Sequence, residues 1–198
     1  MRLGYRDIHR FPIGYFGWKA RQSGGAVDEA EKPPALSAGD RFPSCRLVLL
    51  NPKRDREYLG VGADAQVIRP EDVRSDFLLI SIYSELCPGC IQEMTIYSAL
   101  YRRIIGNERS DKGIRMIGIG TGSRKREVAK FRKTRQVEFP LFADEKKEIF
   151  SGLGRPDLPV AYLIDTRNGT VLWVKSGHSE NARELEKDVL HVLEGGTH

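Results

Sequence analysis

Seven residues, Phe77 to Tyr83 (FLLISIY), are almost wholly apolar and run directly into Ser84-Glu85-Leu86-Cys87-Pro88-Gly89-Cys90. A continuous apolar run of this length is the mark of a strand covered on both faces. Beyond Cys90 the period changes. Met94, Tyr97, Tyr101 and Ile104 recur at steps of three and four, which predicts a helix over 88–105. A buried strand feeding such a helix crosses over right-handed to a parallel neighbour, and 114–119 (IRMIGI) supplies one. The chain is thereby constrained to an α/β sheet with two cysteines at a strand-to-helix junction.

The remaining pattern extends that sheet. Arg46 to Leu50 reads as a short strand, and Asn51-Pro52 starts a turn to a hairpin partner at Tyr58 to Val61. Pro70 to Val73 reads as one helical turn. Ser123 is placed to cap a basic helix running to about Arg135. Phe139 to Phe142 is a short extended segment, and Glu145 to Leu153 a helix. Val160 to Ile164 and Val171 to Val174 flank Asn168-Gly169, a tight hairpin turn, and Ser179 to Leu193 is the last helix. The expected architecture is a three-layer α/β/α sandwich with a mixed central sheet and an N-terminal hairpin extension. Residues 22–44 are rich in Gly, Pro, Ser and acids, a linker composition. The expected division is therefore an N-terminal arm and linker over 1–38 and one domain over 39–198.

Composition narrows the function classes. The 198-residue chain carries a net charge of +5, too little to indicate nucleic-acid binding. No run approaches the roughly 18 apolar residues of a membrane span. Arg6, Asp7, His9 and Arg10 break any apolar core of a secretory signal, so the cytoplasm is the expected compartment, with an extracytoplasmic one the alternative if the natural start lies further upstream. Three cysteines do not make a disulfide scaffold, and His9, His178, His191 and His198 are too scattered for zinc-ligand spacing. A redox pair is the reading that remains.

The chemistry follows from position. A helix N-terminus exposes unpaired N–H groups and about half a positive charge, and both stabilise a thiolate. Pro88 suits the first helical turn. Cys90, three residues after Cys87, lies one turn above it, so the pair can close a small disulfide ring. Cys87 is expected to be the exposed attacking thiol and Cys90 the buried resolving one. The plainer alternative is two buried cysteines that happen to be close, or a static disulfide. Cys45 reads as a small buried hydrophobe; the alternative is a thiol that forms a mixed disulfide with Cys87 or Cys90 or binds a partner.

These residues resemble the active site of the thioredoxin superfamily. The wider pattern is similar to its TlpA/ResA-like and redoxin (AhpC/TSA-like) branch. The resemblance spans about 38–193 and rests on GDRFPS, CPGCIQEM, FPLFADEKKEIFSGLG and LPVAYLIDTRNGTVLWVKSGH. It implies a thioredoxin-like fold and a cis proline at Pro159. It also implies a substrate-binding surface made of Pro88, Gly89, Leu158 and Pro159, with Cys87 and Cys90 as catalytic residues. Glu85 and Glu93 are possible modulators; each reads also as a solvated acid.

The sequence departs from the family where Leu86 replaces the usual Trp and Ser81 stands in the place of thioredoxin's buried Asp. The implied activity is thiol–disulfide exchange with no dissociable cofactor and no metal. Its partners would be a protein or small-molecule disulfide and a redox partner protein. The alternatives are a thiol peroxidase of the redoxin type and a non-enzymatic binding or metal-carrier module. Against the peroxidase, Ile80 and Ser84 stand where that branch has Pro and Thr.

Overall fold

The computed structural model describes residues 35–106 and 113–195. Most of the expected arm, 1–38, lies outside them. The order is β1 (Leu47–Val48), α1 (Pro52–Leu59), β2 (Val67–Ile68), a single 3-10 turn (Pro70–Asp72), β3 (Phe77–Tyr83) and α2 (Pro88–Gly106). It continues with β4 (Ile114–Thr121), α3 (Lys125–Thr134), β5 (Leu141–Asp144), α4 (Glu148–Gly152), β6 (Val160–Asp165), β7 (Val171–Ser176) and α5 (Ala182–Leu193).

Five strands form one sheet in the order β5-β4-β3-β6-β7. The crossovers through α2 and α3 make β3, β4 and β5 parallel. Strands β6 and β7 are antiparallel additions, with Ile82 opposite Val160 and Val160 opposite Ser176. That register brings the start of β6 and the end of β7 level with the end of β3, where the cysteines begin.

Alternation along β3 divides the core. Leu79 and Tyr83 face one side with Met94, Tyr97 and Leu100 of α2, Val128 and Phe131 of α3, and Leu185 and Val189 of α5. Leu78, Ile80 and Ile82 face the other with Leu47, Leu59, Ile68, Phe142 and Ile149. The result is a three-layer α/β/α sandwich of thioredoxin type. The Tyr83 and Phe131 rings stack with centroids 5.2 Å apart. Leu36 already packs against the second cluster, a little ahead of the expected domain boundary.

The N-terminal extension is an antiparallel pair, but Tyr58 to Val61 is not its second strand. β1 pairs with Val67–Ile68, and Pro52–Leu59 is a helix. Pro52 stands at its first position, Asp55 and Leu59 share its buried side, and Gly60 closes it with φ 66°. The four-residue spacing of Asp55 and Leu59 is helical, and glycine is suited to the left-handed closing position. Asp55 is fully buried and ion-paired to Arg132 of α3 at 2.8 Å.

Two helix starts also differ from expectation. α3 starts at Arg124, whose N–H donates to Glu127 at 2.7 Å, while Ser123 is buried. α5 starts at Asn181, whose side chain accepts from the N–H groups of Arg183 and Glu184. The segment around Pro140 continues into the full edge strand β5. Among the described residues no helix is long and apolar enough to cross a membrane.

Candidate active site

Cys87 and Cys90 open α2 just beyond the buried end of β3. The chain turns there because the Cys87 N–H donates to the Ser84 carbonyl at 3.1 Å and the Ile91 N–H to the Cys87 carbonyl at 3.2 Å. Both thiols are free; Cys87 is half-buried and Cys90 buried. The Cys90 N–H donates to the Cys87 sulfur at 3.2 Å, so one of the unpaired amides of the helix start is spent on that sulfur. Burial pushes the Cys90 thiol up to about 12, and its hydrogen bond with Cys87 pushes in the same direction. The half-buried Cys87 thus accepts a hydrogen bond on its sulfur, while the buried Cys90 is held as a neutral thiol.

Pro88 is exposed and Gly89 half-buried. Leu86, immediately before Cys87, is 93% exposed, the most exposed large apolar side chain among the described residues. The Leu158–Pro159 bond is cis, as the resemblance implies, and it directly precedes β6, whose Val160 pairs with Ile82 near the end of β3. Leu158 packs against both core clusters, and Cys87 packs against the one that contains Cys90. The Pro159 carbonyl accepts from the Gly177 N–H at 2.9 Å, which ties the loop after β7 to the proline.

The structure separates the two carboxylates. Glu93 is 1% exposed. It accepts from the Ser179 N–H at 2.9 Å and from the Ser179 hydroxyl at 2.5 Å. His178 Nδ1 is 3.7 Å from the same carboxylate. Glu85 turns toward the start of α3. Burial raises its pKa, the nearby Ser123 hydroxyl acts in the opposite sense, and Glu127 adds to the rise. Ser81 is buried with a hydroxyl that has no hydrogen-bond partner.

Cys45 packs on the opposite face of the sheet from the pair. From the sequence, His178 is one of four scattered histidines and Ser179 only the start of the last helix. Glu93 and Ser179 are 86 residues apart, and no local pattern links them. Among the described residues, no three His, Cys, Asp or Glu side chains converge as a metal site.

Comparison with known proteins shows the family and the fold. The model of the AhpC/TSA family matches residues 39–174. The chain belongs to the AhpC/TSA family. Over 109 residues it is 26% identical to the thiol-disulfide oxidoreductase ResA of Geobacillus thermodenitrificans (strain NG80-2), a match covering 55% of this chain and 59% of ResA. The chain therefore spans about three fifths of the length of that relative.

Among solved structures, a Chlorobium tepidum protein described as thiol:disulfide interchange protein DsbE superposes with a TM-score of 0.61 at 21% identity. The match covers 80% of this chain and 99% of that one. Mycobacterium tuberculosis AhpC superposes with a TM-score of 0.56 at 18% identity, covering 82% and 93%. The two structural likenesses establish the thioredoxin-like fold.

Proposed function

We propose that the protein is a thiol–disulfide oxidoreductase working through Cys87 and Cys90. The observation that carries the reading is the asymmetry of the pair: a half-buried Cys87 whose sulfur accepts the Cys90 N–H, beside a buried Cys90 thiol kept protonated. Exchange needs an attacking thiolate that meets the substrate and a second thiol withheld until the mixed disulfide has formed. Cys87 attacks the substrate disulfide; Cys90 then displaces the substrate from Cys87 and leaves the Cys87–Cys90 disulfide. Pro88, Gly89, Leu158 and Pro159 form the surface on which an extended substrate lies, and Glu85 and Glu93 modulate the reaction. Residues 39–198 are the redox unit and 1–38 its arm. A protein or small-molecule disulfide is the substrate, and a second redox protein returns the pair to its starting state.

ResA supports this reading by its described activity. As part of the same proposal, the protein works in the cytoplasm, where a reducing thiol pool holds both cysteines free; alkylation in intact cells tests that point. The experiment for the activity is the reduction of insulin disulfides by the purified protein, together with the reduction potential of the pair. The expected result is turnover that vanishes in Cys87→Ser.

The family match favours a second reading, a thiol peroxidase. Against it, Ile80 is fully buried in β3, and the Ser84 hydroxyl accepts from the Leu86 N–H at 3.3 Å. Consumption of hydrogen peroxide faster than reduction of disulfides would select that reading instead.

A further inference from the structure

The imidazole of His178 lies on Gly89, between the two cysteines. A Cβ on Gly89 would sit 2.5 Å from His178 Cε1 and 2.6 Å from Nε2, so the ring occupies the space that any side chain at position 89 would fill. Gly89 does not adopt the positive φ that calls for glycine, and alanine is the better helix former there. A side chain at position 89 fits only if the histidine ring moves away.

The residues on either side of His178 are also tied down. Gly177, the preceding residue, donates to the carbonyl of Pro159. Ser179, the following residue, is bonded twice to the buried Glu93 carboxylate. That carboxylate lies 3.7 Å from His178 Nδ1, while the His178 side chain remains 56% exposed. Lys175, Glu180, Glu184 and Asp188 line the shallow cleft on the ring's other side. A histidine with one nitrogen toward a buried carboxylate and the other toward the reacting surface has the layout of an oriented acid–base group.

We propose that His178 is the proton donor to the leaving thiolate of the substrate disulfide, with Glu93 as the positioning residue behind it. The proposal rests on the exchange reading above and deepens it: the favoured substrates are disulfides whose leaving thiolate is basic, as alkyl and peptide thiolates are. In the step, the Cys87 thiolate attacks one substrate sulfur. A Cys87–sulfur bond forms, the substrate sulfur–sulfur bond breaks, and the electron pair departs on the second substrate sulfur. That sulfur takes the proton from Nε2 of the imidazolium and leaves as a thiol. The Cys87 sulfur is oxidised as the leaving sulfur is reduced, and the neutral imidazole regains its proton from solvent.

The test compares two uncharged disulfides in single-turnover reactions of the reduced protein. The aromatic thiolate of dithiodipyridine leaves without needing a proton on sulfur, whereas hydroxyethyl disulfide releases a basic thiolate. His178→Ala should lower the ratio of the alkyl rate to the aromatic rate at least about tenfold. Gly89→Ala, which pushes the ring away without removing it, should lower the same ratio by at least about fivefold. It also provides the answer if His178→Ala does not fold. A ratio in the folded variants that falls by less than these amounts overturns the assignment of His178 and leaves the exchange reading standing. A wild-type protein whose Cys87 reacts with neither disulfide overturns the exchange reading, and the assignment with it.

Discussion

The Cys90 backbone N–H donates to the Cys87 sulfur while the Cys90 thiol itself is buried beneath it, pushed up to about 12. One residue thus meets its neighbour twice: its amide donates to the Cys87 sulfur, and burial holds its own thiol neutral. The exchange proposed above takes the order of its two steps from this relationship.

The first prediction concerns Cys90 alone. Burial, the larger cause of the rise, persists when Cys87 is replaced. In Cys87→Ser, iodoacetamide should leave Cys90 unmodified in the folded protein at about pH 7–8 and modify it readily in urea, because only the thiolate reacts. The linkage has a definite sign. The thiol titrates from 9.0 unfolded and about 12 folded, so its contribution to stability is fully present below pH 9 and is lost as pH rises from there toward 12. Urea melts of the reduced protein should therefore show midpoints falling above pH 9. Equal alkylation of the folded and unfolded forms would remove the basis for the resolving role.

Glu93 joins α2 to the loop after β7 through Ser179. Glu93→Ala leaves the buried Ser179 N–H and hydroxyl without their acceptor, which costs about 1–3 kcal/mol for each orphaned group. Glu93→Gln keeps an acceptor oxygen and should lose less. Urea unfolding of the two variants checks the order, and equal stabilities would show that the carboxylate does not hold the loop.

The parts of this site that are local in sequence could be read from it. The apolar run Phe77 to Tyr83 coincides with β3, and the change of period after Cys90 coincides with α2. The Leu-Pro before the next strand pointed to the cis bond at Pro159 through the family resemblance. What depends on tertiary contact could not be read. Glu93 has the composition of a surface acid, and its buried state exists only because Ser179 arrives from 86 residues away. Helix α1 was hidden for a different reason. Tyr58 to Val61 is apolar enough to resemble a strand, whereas the helix is specified by the four-residue spacing of a buried aspartate and a leucine. That spacing has meaning only once Arg132 of α3 is known to meet Asp55.

Cys45 should be dispensable. It packs on the other face of the sheet from Cys87 and Cys90. Burial also raises its thiol to about 12, with Glu71 and Asp144 adding to the rise. Cys45→Ala should keep disulfide reduction within about twofold of wild type, since only thiolates exchange. Turnover below about a tenth of wild type in a folded variant would make the reaction a three-cysteine relay.

The central claim is that Cys87 attacks and Cys90 resolves. Incubation of reduced Cys90→Ser protein with a disulfide-bonded protein such as insulin, followed by acid quenching and peptide mass spectrometry, tests it directly. The account predicts a stable mixed disulfide on Cys87, absent from the wild type because Cys90 releases it, and absent from Cys87→Ser because no attack occurs. Insulin reduction by Cys90→Ser at the wild-type rate, with no adduct on Cys87, would contradict it.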